Sequence, residues 1–179
     1  MPRPLTAFVL LVALLAALTA PARALELEAG EPVPVPPVEI QDMAGQSFDL
    51  AAAVATGEVV VLNFWATWCA PCKREMPTLA ALQGLYEGRP LQVRTLAMDR
   101  AGPEALQAFM ADIGVDDLTI WRDPKMATAQ PLGIPGLPVT LVVDGRGNEV
   151  FRHAGYADWA APEVVAFLDG LLAATPQAR

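Results

Sequence analysis

Apolar residues fill every position from 59 to 62. A continuous run of that kind fits a strand buried on both faces, so residues 58–65 read as the centre of a sheet. Residues 71–86 follow with helix signals, stopped by Gly88, Arg89 and Pro90. Pro77 falls inside that helix, where it removes one backbone bond and crowds the preceding turn, so a kink is predicted. Residues 91–98 read as a second strand of the parallel type. Leu106, Phe109, Met110 and Ile113 form one stripe over 103–113, the pattern of an amphipathic helix, and Gly114 ends it. Residues 118–121 read as a short strand and 125–132 as a short helix closed by Gly133. A Pro/Gly-rich turn at 134–138 feeds a strand, 144–148 form a hairpin turn, and 149–153 return as a strand. Residues 162–173 close the pattern as a helix with Pro162 near its first position.

Upstream, residues 38–41 alternate apolar and polar positions, Asp42 and Gly45 carry turn chemistry, and 47–50 return. This reads as a short β-hairpin. Residues 50–55 form a short helix ended by Thr56 and Gly57. The order predicts an α/β fold, a mixed central sheet with helices on both faces and an extra N-terminal β-hairpin. The chain shows neither an internal repeat nor a second domain.

The hydrophobic content of 54% changes meaning once the N-terminus is set apart. Residues 1–24 read as a secretory signal: Arg3 precedes an uncharged apolar run from Leu5 to Ala20, and Ala22-Arg23-Ala24 is a small-x-small cleavage site. The run is shorter than the roughly 20 residues of a spanning helix, yet an uncleaved membrane anchor stays open as the alternative. No cysteine follows it, so lipid modification is not expected. Residues 25–37, with Pro32, Pro34, Pro36 and Pro37, read as an extended linker, residues 38–174 as the folded domain and 175–179 as a disordered tail. The formal charge is −8 and becomes about −10 without Arg3 and Arg23. Such acidity argues against nucleic acid as a partner and serves solubility.

The chemistry concentrates in the only two cysteines, Cys69 and Cys72. Two residues separate them, between a buried strand and the start of a helix, the placement of a redox-active dithiol. Residues three apart are neighbours on a helix, so the pair can close a disulfide. Cys69 falls just before the helix, where free N–H groups and the dipole favour a thiolate. It is the expected nucleophile, with Cys72 as the buried resolving thiol. A purely structural disulfide would close a very small loop and restrain the unfolded chain little. A zinc site lacks ligands, since His153 is the only histidine. Neither a metal set nor a cofactor site is read.

Residues 63–77, NFWATWCAPCKREMP, resemble the active-site segment of the TlpA/ResA branch of the thioredoxin superfamily, and the likeness extends over about 38–172. The resemblance implies a thioredoxin-like fold and an exported or membrane-anchored thiol–disulfide oxidoreductase of the periplasm. It implies disulfide- or thiol-bearing exported proteins as partners, apocytochrome c, its maturation partners and copper-site cysteines among them, with a membrane thiol carrier as electron donor. The segment Gly136-Leu137-Pro138-Val139-Thr140 matches the family's cis-proline wall, so Pro138 is expected cis against the dithiol and Leu137 offers backbone groups to substrate. Trp68 is expected in the docking surface, or as a half-buried ring packing the loop.

Asn63 stands where cytosolic thioredoxins carry a buried aspartate, which leaves Cys72 without that proton acceptor. Glu75, three residues after Cys72, matches a family glutamate and is the expected substitute; burial would raise its pKa. The alternative is an exposed helix charge beside Lys73 and Arg74. Ala70 and Pro71 tune the pair, Pro71 by suiting the first helical turn. His153, Trp121 and Trp159 read as packing residues, and the methionines form no metal-binding tract. An oxidase or isomerase using the same dithiol, and a non-catalytic copper-handling protein, remain the competing readings, since sequence does not fix the direction of electron flow.

Overall fold

The computed structural model describes residues 27–174. The expected signal at 1–24 and the tail at 175–179 lie outside the described residues. Among the described residues no helix is long and apolar enough to cross a membrane.

One eight-stranded sheet has the order β1-β8-β7-β4-β5-β6-β2-β3. Its centre is β4, Val59–Trp65, with all seven residues buried. It runs parallel to β5 (Leu91–Ala97) and antiparallel to β7 (Val139–Val143). β6 (Thr119–Arg122) extends the parallel side, and β8 (Asn148–Ala154) the antiparallel side. The N-terminal hairpin is β2 (Glu39–Gln41) with β3 (Ser47–Asp49), and it joins the sheet through Gln41 opposite Arg122. The architecture is thus the mixed, thioredoxin-like sheet that the sequence implied.

Among the described residues four helices cover it: α1 (Leu50–Val54), α2 (Ala70–Leu85), α3 (Pro103–Asp112) and α4 (Pro162–Ala174). Alternation along β4 divides the core. Val59, Val61 and Trp65 share one cluster with Met76, Leu79 and Leu82 of α2, Leu106 and Met110 of α3, and Val164 and Leu168 of α4. Val60, Leu62 and Phe64 share the other with Leu50 and Val54 of α1 and with Leu132. The three long helices therefore contribute to one cluster, while α1 and the segment before β7 cover the opposite side.

Two expectations require correction. Among its described residues, 27–37, the extended linker read at 25–37 is not one throughout. Val33–Pro34 form β1, pairing with Asn148 and Glu149 of β8, and Val35 is buried with its N–H on the Gly147 carbonyl at 3.0 Å. Proline is tolerated because β1 is an edge strand with one side unpaired. Residues 125–132 are a series of turns rather than a helix. The buried Asp123 carboxylate accepts hydrogen bonds from Ala127 N–H (2.8 Å), Thr128 N–H (2.8 Å) and the Thr128 hydroxyl (2.6 Å). Those local bonds compete with helical pairing. Pro77 does lie inside α2.

The β7–β8 turn carries a tight backbone contact. A Cβ on Gly145 would stand 2.6 Å from the Gly57 carbonyl carbon, and Gly57 N–H donates to Gly145 O at 3.0 Å. Gly145→Ala must push these two turns apart, and we expect a loss of about 1–3 kcal/mol in denaturant unfolding. A change within about 0.5 kcal/mol, typical of an unconstrained surface site, would contradict that.

Candidate active site

The carboxyl end of β4 delivers the chain into Ala66, Thr67 and Trp68, and Cys69 is the N-cap of α2. The Asp99 carboxylate, at the end of β5, holds this loop. It accepts from Thr67 N–H at 2.8 Å, from the Thr67 hydroxyl at 2.6 Å and from Ala101 N–H at 2.9 Å. Met98 N–H adds a bond to the Trp65 carbonyl at 2.8 Å. Burial on its own would raise the Asp99 carboxyl, but the bonds from Thr67, Ala101 and Arg100 outweigh it and hold the group below its usual range. Its contribution is therefore present above the unfolded value of about 3.9 and lost as pH falls through the lower folded value. Asp99→Ala should cost about 1–3 kcal/mol at pH 7, because the donors of Thr67, Ala101 and Arg100 lose their acceptor. The gap between variant and wild type in unfolding experiments should close in acid, and a gap independent of pH would refute this role.

Cys69 and Cys72 are joined as a disulfide with Cα atoms 5.3 Å apart. Cys69 is 5% exposed and Cys72 is fully buried, and Cys72 N–H points at the Cys69 sulfur from 3.3 Å. Ala70 is exposed and Pro71 half-buried in the first turn. Trp68 is 67% exposed rather than half-buried, so its ring does not pack the loop. The Leu137–Pro138 peptide is cis. Pro138 is buried, and Leu137 packs against the cluster that holds both cysteines. The Pro138 carbonyl accepts from Gly155 N–H at 2.9 Å.

One helical turn beyond Cys72, Glu75 is fully buried. Asn63 Nδ2 donates to its Oε1 at 2.6 Å and to the Thr140 hydroxyl at 2.8 Å. Ala157 N–H and Trp159 Nε1–H face Oε2 at 3.3 and 3.4 Å. The Thr78 hydroxyl bonds the Glu75 carbonyl and accepts from Trp159 N–H. Burial drives the carboxyl from 4.5 to about 7, against the lowering effect of the Asn63, Ala157 and Trp159 donors. A group of that kind exchanges protons near neutral pH.

Three contributors escape a reading of the sequence. Thr140 faces Asn63 because the two are register partners across β4 and β7. Trp159 is the fully buried packing residue expected of it, yet its indole N–H serves the carboxylate. Ala157 contributes through its backbone alone. Only the alternation of Asn63 and Thr140 within apolar strands could have signalled polar positions facing inward. His153 is half-buried, edge-on to Trp159 at 6.1 Å, with Nε2 3.3 Å from the Tyr156 carbonyl oxygen.

Comparison with known proteins agrees with this geometry. Residues 28–168 match the Redoxin family. The thiol:disulfide interchange protein HelX of Rhodobacter capsulatus is 31% identical over 121 residues, covering 67% of this chain and 65% of the relative. The thiol-disulfide oxidoreductase ResA of Halalkalibacterium halodurans is 32% identical over 117 residues, covering 65% and 64%. The chain thus spans just under two thirds of the length of these curated relatives. A crystal structure from Chlorobium tepidum, described as a thiol:disulfide interchange protein DsbE, aligns with a TM-score of 0.68 at 26% identity, over 81% of this chain and 99% of that one. A paired CxxC at the head of α2, a thioredoxin-like sheet and a match across most of its length together place this chain in the redoxin family.

Proposed function

We propose that the protein is an exported thiol–disulfide oxidoreductase that reduces selected disulfides of exported proteins. The observation that carries the reading is the buried carboxyl of Glu75, titrating near neutral pH, one helical turn from the buried sulfur of Cys72.

The reaction begins with the reduced dithiol. The Cys69 thiolate, favoured by the N–H groups at the head of α2, attacks one sulfur of the target disulfide. A mixed disulfide forms, and the other target sulfur leaves as a thiolate that takes a proton from solvent. Glu75 accepts the proton of Cys72. The Cys72 thiolate then attacks the Cys69 sulfur, closing the 69–72 disulfide and releasing the second target sulfur as a thiolate, which takes a proton from solvent while Glu75 returns its own. Two electrons pass to the target. A dithiol carrier of the membrane restores the pair by the reverse exchange. Pro138 and Leu137 form the wall along which the target segment lies, Trp68 supplies apolar contact beside the nucleophile, and Ala70, Pro71 and Asn63 tune the pair. The apolar run and small-x-small site read at 1–24 support export to the periplasm, either released or anchored. By resemblance, apocytochrome c, its maturation partners and copper-site cysteines are the substrates.

Titration of the dithiol against a glutathione or dithiothreitol couple tests the direction. A reductase requires a potential toward the thioredoxin end of the scale, about −270 mV. A value near −120 mV, that of a strong oxidant, would overturn the reading.

A further inference from the structure

Residues 155–157 tie together two parts of the site that the sequence keeps apart. Gly155 N–H holds the carbonyl of Pro138 at 2.9 Å, and Ala157 N–H faces Oε2 of Glu75 at 3.3 Å. Tyr156 lies between these two anchors and is 45% exposed, one of a few large hydrophobic side chains left in solvent. The anchors on either side fix the backbone that presents it. Across from it, the Arg74 guanidinium lies 5.0 Å from the Tyr156 ring centroid.

Arg74 stands on the solvent face of α2, four residues beyond the exposed Ala70. That places it one turn, about 6 Å, from the residue that follows the nucleophile. The chain carries 20 acidic residues against 12 lysines and arginines. Even so, among the described residues no carboxylate pairs with Arg74, whereas Lys73 reaches Asp112 at 3.6 Å and Arg89 reaches Asp169 at 2.7 Å. With its guanidinium over the Tyr156 ring and no carboxylate bound, Arg74 has the planar N–H fork that matches a carboxylate in two bonds. At 5.0 Å from the centroid the cation is attracted to the ring face, which favours its place there.

We infer that Arg74, held against Tyr156, is a specificity-determining contact for an acidic side chain flanking the substrate cysteine. The inference rests on the dithiol chemistry proposed above and adds the class of target segment. An aspartate or glutamate near the target disulfide meets the Arg74 edge while the segment lies along Pro138. The residue acts on the encounter and on the hold of the substrate. Its effect therefore belongs in KM rather than in kcat.

Two disulfide-bonded peptides of equal length, differing only by glutamate or lysine beside one cysteine, provide the test. The wild type should exchange about fivefold faster, in kcat/KM, with the acidic peptide, the size expected of one partly exposed charge pair. High salt should erode the preference. Arg74→Glu should reverse it through KM. Arg146→Glu makes the same change in net charge in the exposed β7–β8 turn and should leave the preference intact. Arg74→Lys should retain part of it, and Tyr156→Ala should weaken it through KM. An unaltered preference in Arg74→Glu, or an equal shift in Arg146→Glu, overturns the inference while the reductase reading stands. A wild type that oxidises dithiol peptides but reduces no disulfide overturns the reductase direction, and the charge preference is then read in the oxidising exchange. Failure to exchange with either peptide in either direction overturns both.

Discussion

Cys72→Ser protein, reduced and mixed with a disulfide-bearing substrate, is expected to stop at a stable covalent complex through Cys69. Cys69 is 5% exposed at the head of α2, with the Cys72 N–H 3.3 Å from its sulfur. Cys72 has no exposure at all. Only the first sulfur can meet a second protein, and only the second can displace that protein afterwards. Serine at 72 supplies no thiol for the displacement, so the complex accumulates, carries the summed mass of both partners and is released by added dithiol. Cys69→Ser should form no complex and drop to the uncatalysed background. Mass spectrometry of the trapped species, with peptide mapping of the linked cysteine, reads both outcomes. A complex through Cys72, or full exchange activity in Cys69→Ser, would end the proposed mechanism.

Glu75→Gln is expected to slow the displacement step by about 10²–10⁴-fold, the usual contribution of a positioned general base. Stopped-flow measurement of mixed-disulfide decay isolates that step. In the wild type the rate should rise with pH through about 7, as Glu75 becomes able to accept the Cys72 proton. The variant should lose that inflection, and an unchanged profile would assign the proton to another acceptor. The same carboxyl predicts a stability effect of definite sign. Its folded value, about 7, lies above the ordinary 4.5 because burial penalises the charge more than its three donors favour it. Between those two values the unfolded chain has released the proton and the folded chain has kept it. Stability of the oxidised protein therefore falls as pH rises through that window, by a total on the order of 3 kcal/mol. Glu75→Gln should remove that slope in denaturant titrations run from pH 4 to 8.

The Glu75 assignment shows how far a sequence can be read. Its spacing from Cys72 places it on the right helical surface, and Asn63 in place of an acid identifies what is missing. Its environment could not be read from spacing. Trp159 looked like packing and is packing, yet its indole N–H also serves the carboxylate from 84 residues away in the chain. Thr140 reaches Asn63 only because β7 pairs antiparallel with β4 in one particular register. Errors in the fold have the same origin. Local propensity suggested a helix at 125–132, and a single buried aspartate redirected the backbone donors into turns. Prolines suggested an extended linker before residue 38, and a sheet edge with one unpaired side accepted Val33 and Pro34 as a strand.

The sequence by itself determined the run of elements from β2 to β6 and from β7 to α4, the dithiol and its place at a helix head. Those are local properties, set by apolar periodicity, turn residues and the spacing of two cysteines within one segment. Tertiary structure alone decided which oxygen of Glu75 faces which donor, how the Asp99 carboxylate clamps the Thr67 loop, and that Tyr156 stands between the anchors of Pro138 and Glu75. Each of these depends on strand register or on loops meeting across the sheet, and burial then gives a few hydrogen bonds control over a proton.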